Sequence, residues 1–211
     1  SGKASPRDVI NLGTSLEKIP HVKETIYKNN TVLTKLLNRC YETDKITTLI
    51  LNTIKTDPPA LTKKGGYIRR GFSSELDELR QLSEDASRWM ANMQLEEQKN
   101  TKIPSLKVGY NKVFGYYLEV TKTHVAKVPE HYIRKQTLIN SERYFTEELK
   151  EYEEKILSAE EKIISLELDI WNSLQQEIIS YAVSIQQNAK ILARLDVTRT
   201  LANLAISKGY C

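Results

Sequence analysis

The stretch LKVGYNKVFGYYLEV, residues 106–120, is the least helix-like part of a chain that otherwise reads as helix almost from end to end. After Pro104 the pattern switches from helical spacing to alternation: Tyr116, Leu118 and Val120 fall on one face, with Tyr117 and Glu119 between them. A two-residue period belongs to a strand with one buried side. Asn111-Lys112-Val113 supplies the turn to a partner strand near Leu106–Asn111, so the stretch predicts a hairpin.

Working outward, long helices flank it. Upstream, Ser73 or Ser74 caps a helix with Glu75 and Asp77 in its first turn, where the helix dipole favours acids. Its face is Leu76, Leu79, Leu82, Trp89 and Met93, it reaches about Lys99, and Pro104 forbids its continuation. Downstream, Thr146 caps a helix opened by Glu147 and Glu148, and apolar residues from Leu149 to Ile185 recur every three or four positions. Taken to about residue 187 this is roughly 40 residues, on the order of 60 Å of helix. The charges of KEYEEKILSAEEK fall away from its apolar stripe, as on a solvated lever. Two helices of opposite sense close most simply as antiparallel arms, with the β segment inserted at their far end.

The first third adds shorter helices. Ser5-Pro6 is an N-cap with proline at the first helical position. Helical patterns then cover about residues 21–42 (Val22, Ile26, Val32, Leu33, Leu36, Leu37) and 44–56, before Asp57-Pro58-Pro59 stops them. LTKKGGYIRRGF reads as a short hairpin turning at Gly65-Gly66, its Lys63-Lys64 and Arg69-Arg70 forming either a second basic patch or merely an exposed surface. The fold class is therefore mainly α. A helical core spans 1–95, a β-rich insertion 96–146, and a returning long helix with a closing helix 147–211.

The 211 residues carry a net charge of +4. Residues 101–146 hold eight lysines and arginines against three glutamates, a surplus of +5 that leaves the remainder at −1. Five tyrosines lie among these charges. Such a segment fits an electrostatic footprint for phosphates, and equally a small solvated sheet kept soluble by lysine. Cys40 and Cys211 form no CxxC pair, which favours two reduced thiols; with no charged-then-apolar leader the expected setting is intracellular and cytoplasmic. No apolar run approaches a membrane span. The start without methionine and the end at ISKGYC read as an excised piece of something larger.

Catalytic and metal-binding patterns are not found. GxxxxGK[ST] and GxGxxG do not occur, the histidines His21, His124 and His131 have no ligand-spaced cluster around them, and no serine sits in a nucleophile elbow. A binding or mechanical module is expected, not an enzyme, with no cofactor of its own.

LKVGYNKVFGYYLEVTK, VPEHYIRKQTLINSERYFTEELKEYEEKIL and LARLDVTRTLANLA closely resemble the core and clamp region of the MutS family of DNA mismatch-repair proteins. ASPRDVINLGTSLEKIP and GYIRRGFSSELDELRQL are similar to the start of its lever region and to its hairpin and ascending arm. The resemblance implies a β-rich clamp inserted between helical levers and lying across the backbone of double-stranded DNA. It also implies a homodimeric full-length protein with an ATPase using ATP and Mg, and a MutL-type partner. The mismatch-reading motif and the Walker ATPase of that family lie outside these residues.

Tracing the chain outward along the first strand predicts that the turn at Asn111-Lys112-Val113 and the turn at Ile139-Asn140-Ser141 share the distal tip. The expected phosphate contacts are then Asn111, Lys112, Asn140 and Arg143, joined by Lys135 and Gln136 on the strand before the second turn. Lys122 and Lys127 are expected at the inner end. Two other readings stay open: a paralogue devoted to another DNA structure, and a coiled-coil-like module whose basic cap contacts protein.

Overall fold

Among the described residues, 4–27 and 31–210, the computed structural model orders seven α-helices and one four-stranded antiparallel sheet. The chain divides into two compact units: residues 1–72 together with 167–211, and residues 73–166.

The first unit holds α1 (Pro6–Glu17), α2 (Ile19–Tyr27), α3 (Thr31–Leu37), α4 (Asp44–Thr53), the last part of α6 (Glu147–Ser180) and α7 (Ala182–Lys208). Ser5 opens α1 with a reciprocal cap, its hydroxyl accepting from the Asp8 N–H while the Asp8 carboxylate accepts from the Ser5 N–H. Gly13 lets α1 lie close on α4, since a Cβ there would stand 2.6 Å from Ile50 Cγ2. Of the helix expected over 21–42 the described residues form α2 and α3; residues 28–30 and the Val32 side chain lie outside the described residues. The loop that follows is clipped to α7 by the buried Asn188, whose Oδ1 accepts from the Tyr41 N–H at 2.8 Å while its Nδ2 donates to the Tyr41 carbonyl at 3.0 Å.

The expected hairpin at Gly65-Gly66 does not form. Residues 62–64 make a single 3-10 turn, and Ile68 bridges instead to Ile54, with Lys55 N–H donating to Tyr67 O and Arg69 N–H to Thr53 O. The glycines have positive φ (66° and 83°), and the buried Glu167 carboxylate accepts the Gly66 N–H at 2.5 Å. A carboxylate of α6 thus replaces the strand that the sequence suggested. Tyr67, edge-on to Trp171 at 5.7 Å, packs beside it. The Lys64 side chain and Cys211 lie outside the described residues, and Cys40 is a free thiol.

The long downstream helix is also interrupted earlier than its periodicity suggests. Tyr181, at φ −92° and ψ 3°, separates α6 from α7, and its N–H donates to Ile178 O in a tighter turn. Neither glycine nor proline marks the break.

The second unit holds α5 (Ser74–Thr101), the sheet and the first part of α6. Ser73 Oγ accepts the Leu76 N–H and Thr146 Oγ1 the Leu149 N–H, the two caps expected from sequence. Trp89 stacks flat on Tyr152 at 3.5 Å, while Leu79 and Leu82 line a groove with Ser158 and Lys162, so α5 and α6 run antiparallel within this unit. Strands β1 (Lys107–Asn111), β2 (Gly115–Thr121), β3 (Ile133–Thr137) and β4 (Ser141–Phe145) lie in the order β1-β2-β4-β3. One core joins sheet and helices, built on Leu106, Leu118, Val120, Tyr144, Leu149 and Ile156. Fully burying each such side chain contributes about 1.5–3 kcal/mol.

Candidate nucleic-acid interface

The strand register decides where each candidate residue lies. Asn111 pairs with Gly115 at one end of β2, whereas Ser141 pairs with Thr121 at the other. The turns at Lys112 and Asn140 therefore occupy opposite ends of the sheet and do not share a tip. Six residues at about 3.3 Å each separate them by roughly 20 Å, more than twice the screening length of about 8 Å at physiological salt.

The cause is Lys102. It ends α5 in the left-handed region (φ 54°), and the chain reverses there. β1 then runs back along α5, with Gln98 Nε2 donating to Leu106 O at 2.8 Å and Val108 N–H donating to Gln94 Oε1 at 2.9 Å. The outward trace assumed at the sequence level is inverted. The turn at Lys112 points back along the helices, and the turn at Asn140 lies at the end of the sheet beside the α5 terminus.

The proximal turn is shaped by Asn111, whose Oδ1 accepts the Val113 N–H at 2.8 Å, and by Gly115 at φ 73°. It is held from α6, where Glu153 Oε1 accepts the Tyr116 N–H at 3.3 Å. Residues 111–115 and 147–154 together carry two lysines and five glutamates. Lys112 is exposed, on a turn that the Glu153 carboxylate reaches.

The distal end has the opposite charge. The two-residue Ile139-Asn140 turn closes with Leu138 N–H on Ser141 O at 2.8 Å, and Lys122 N–H donates to Asn140 O at 3.0 Å. Ser105 Oγ lies 3.0 Å from Thr121 Oγ1, bringing the loop after Lys102 to the same end. Residues 102–105, 121–124 and 138–141 include Lys102, Lys122 and His124 but no carboxylate. Lys102, Lys122 and Asn140 are exposed, and Ile139 is 88% exposed. Lys102 was not among the expected contacts, and Lys122 was expected at the inner end. The Ile103-Pro104 pair after the helix was the available signal, since proline commonly follows a left-handed helix cap.

The remaining candidates are engaged within the sheet. Arg143 Nε donates to Glu119 Oε2 at 2.9 Å, its Nη1 donates to Gln136 Oε1 at 3.1 Å, and its guanidinium lies 4.1 Å from the Tyr117 ring centroid. Its side chain is 19% exposed. The ladder skips Lys135, passing from Arg134↔Tyr144 to Gln136↔Arg143; this bulge leaves Lys135 over Phe145 at 5.4 Å.

A family model described as MutS family domain IV matches residues 71–162, nearly the same residues as the compact unit 73–166. The DNA mismatch repair protein MutS of Salinibacter ruber is 46% identical over all 211 residues. The chain belongs to the MutS family. The DNA mismatch repair proteins MutS of Bacteroides fragilis and Methanosarcina barkeri are 45% and 40% identical over 99% of the chain. This chain covers 23% of the Salinibacter protein and 24% of the other two, so it spans about a quarter of the length of these MutS relatives.

The sequence has no phosphate-cradling glycine loop, and among the described residues no group of His, Cys, Asp and Glu could hold a metal ion. No helix among the described residues is long and apolar enough to cross a membrane.

Proposed function

We propose that this chain is the part of a mismatch-repair protein that holds double-stranded DNA by its backbone, with the distal end of the inserted sheet as the contact. The observation that carries this reading is the charge contrast along one sheet: exposed Lys102 and Lys122 lie at the end that holds the Asn140 turn, where the Glu119 carboxylate is already engaged by Ser141 and Arg143, whereas the Glu153 carboxylate reaches the turn that carries Lys112. The relatives' description as DNA mismatch repair proteins supplies the ligand class. Lysines neutralise phosphate charge, while the Asn140 amide and backbone N–H groups orient on it without reading sequence. The contact is accordingly sequence-blind, with a Kd of about 10⁻⁴ to 10⁻⁶ M at physiological salt. ATP hydrolysis with Mg, homodimerisation, a MutL-type partner and a cytoplasmic setting belong, in this reading, to the longer protein.

Titrating a duplex at several salt concentrations tests it. Replacing Lys102 and Lys122 by alanine flattens the slope of log K against log salt by roughly 0.9 per lost phosphate contact, and Lys112→Ala leaves it intact. A slope lowered by Lys112→Ala and unmoved by the double variant would overturn the reading.

A further inference from the structure

The strand that follows the Ile139-Asn140 turn is tied down by a single carboxylate, and Arg143 extends that tie to the strand before it. Glu119, in the middle of β2, accepts the Ser141 hydroxyl at 3.2 Å on Oε1 and Arg143 Nε at 2.9 Å on Oε2. Ser141 and Arg143 begin β4 immediately after the turn. The other strand of the turn is reached through Gln136, which the bulge at Lys135 brings opposite Arg143. Below the guanidinium lies Tyr117, and below Tyr117 the bare backbone of Gly109, where a Cβ would stand 2.7 Å from the ring. A tyrosine laid over a strand glycine closes the gap that the missing side chain leaves. One stack thus crosses all four strands, and Glu119, Arg143 and Gln136 are bonded to one another within the sheet.

We propose that Glu119 and Arg143 are positioning residues for the distal turn: they hold Asn140, and through its carbonyl Lys122, in the geometry that meets a phosphate. Arg143 itself neutralises none. This rests on the DNA-backbone reading above and deepens it. Charge-assisted hydrogen bonds made inside a sheet fix geometry, and an arginine whose charge is already matched by a carboxylate releases no counterion when DNA binds. Tyrosine stacking and the planar guanidinium also make lysine a poor substitute at position 143.

The distinction has an unusual sign. Glu119→Gln removes a negative charge, so if Arg143 were a phosphate ligand the variant would bind DNA more tightly. The brace requires the reverse. For the 211-residue chain and a duplex of mixed sequence, we expect Glu119→Gln to weaken binding about fivefold and Arg143→Ala about tenfold, the loss of one charge-assisted bond, with the salt slope unchanged in both. In an Asn140→Ala background Arg143→Ala should cost clearly less than it does alone, the remainder being what the brace does for Lys122 through the carbonyl at position 140. Amide exchange should quicken at 138–141 and at Lys122 and stay unchanged in the helices.

Tighter binding by Glu119→Gln, or a slope lowered by about 0.9 in Arg143→Ala, would make Arg143 a phosphate ligand and overturn the proposal. Equal losses with and without Asn140, accompanied by faster exchange throughout the unit, would reduce the pair to general structural support and overturn it equally. If Asn140→Ala and Lys122→Ala leave binding untouched, the DNA-backbone reading fails separately. Exchange at 138–141 then decides the brace alone: faster in Arg143→Ala supports it, unchanged refutes it.

Discussion

The two ends of the sheet are built by different means. The proximal turn needs a glycine at positive φ, an Asn side chain that mimics a backbone acceptor, and a glutamate reaching from α6. The distal turn needs none of these. Ile139 and Asn140 have negative φ, and they are closed by the backbone bond from Leu138 to Ser141 and braced from the sheet face. The first is an anchored structural corner set among carboxylates; the second is an exposed turn whose own side chains are spare. In the proposed function, the proximal turn serves stability and the distal turn serves binding. That division separates what substitutions at each end should do.

The largest contrast is expected from backbone chemistry. Gly115→Ala forces a left-handed conformation on a residue with a Cβ and drives that carbon into the Glu153 carboxylate. It should cost about 2 kcal/mol, read as a lower urea midpoint. Asn140→Ala, at negative φ and exposed, should change stability by less than about 0.5 kcal/mol while weakening DNA binding. Comparable destabilisation by the two variants would erase the distinction between the ends.

A smaller effect is expected from the inner face, which both ends share. Burial, and then the hydrogen bond to Glu142, push the Tyr144 hydroxyl from 10.0 up to about 12. The unfolded chain gives up this proton first, so the contribution is complete below pH 10.0 and is lost as pH rises through that window toward about 12. Stability should therefore fall more steeply above pH 10.0 in the parent chain than in Tyr144→Phe. Urea midpoints measured on either side of that pH check it. Identical slopes would mean that Tyr144 titrates as freely as in an unfolded chain.

The sequence made the elements and the caps legible because those signals are local. Ser5, Ser73 and Thr146 bond to backbone N–H groups three residues on, and the alternation at 116–120 is the pleat itself. What it obscured depends on residues far apart in the chain. The Gly65-Gly66 segment finds Thr53, Lys55 and Glu167 instead of its own neighbours, a choice that no local pattern announces. The α6–α7 break has neither proline nor glycine to mark it. The orientation of the sheet turned on one backbone conformation at Lys102, and a single reversal there exchanged the two ends. The same reversal puts Lys122, expected at the inner end, at the distal end of the sheet, and Lys112 the other way. Arg143 was legible as a cation near a turn, but its partners Glu119 and Gln136 become visible only once the register and the bulge are known. A charge count cannot tell a phosphate ligand from a matched ion pair.

The most direct test of this account is to map which backbone amides respond when a short duplex is added to the chain. Amide chemical shifts followed through a titration should move at Lys102, at 121–124 and at 138–141, with the shifts diminishing as salt is raised, while 111–115 stays fixed. Shifts concentrated at Asn111–Gly115, with the Asn140 turn silent, would contradict it.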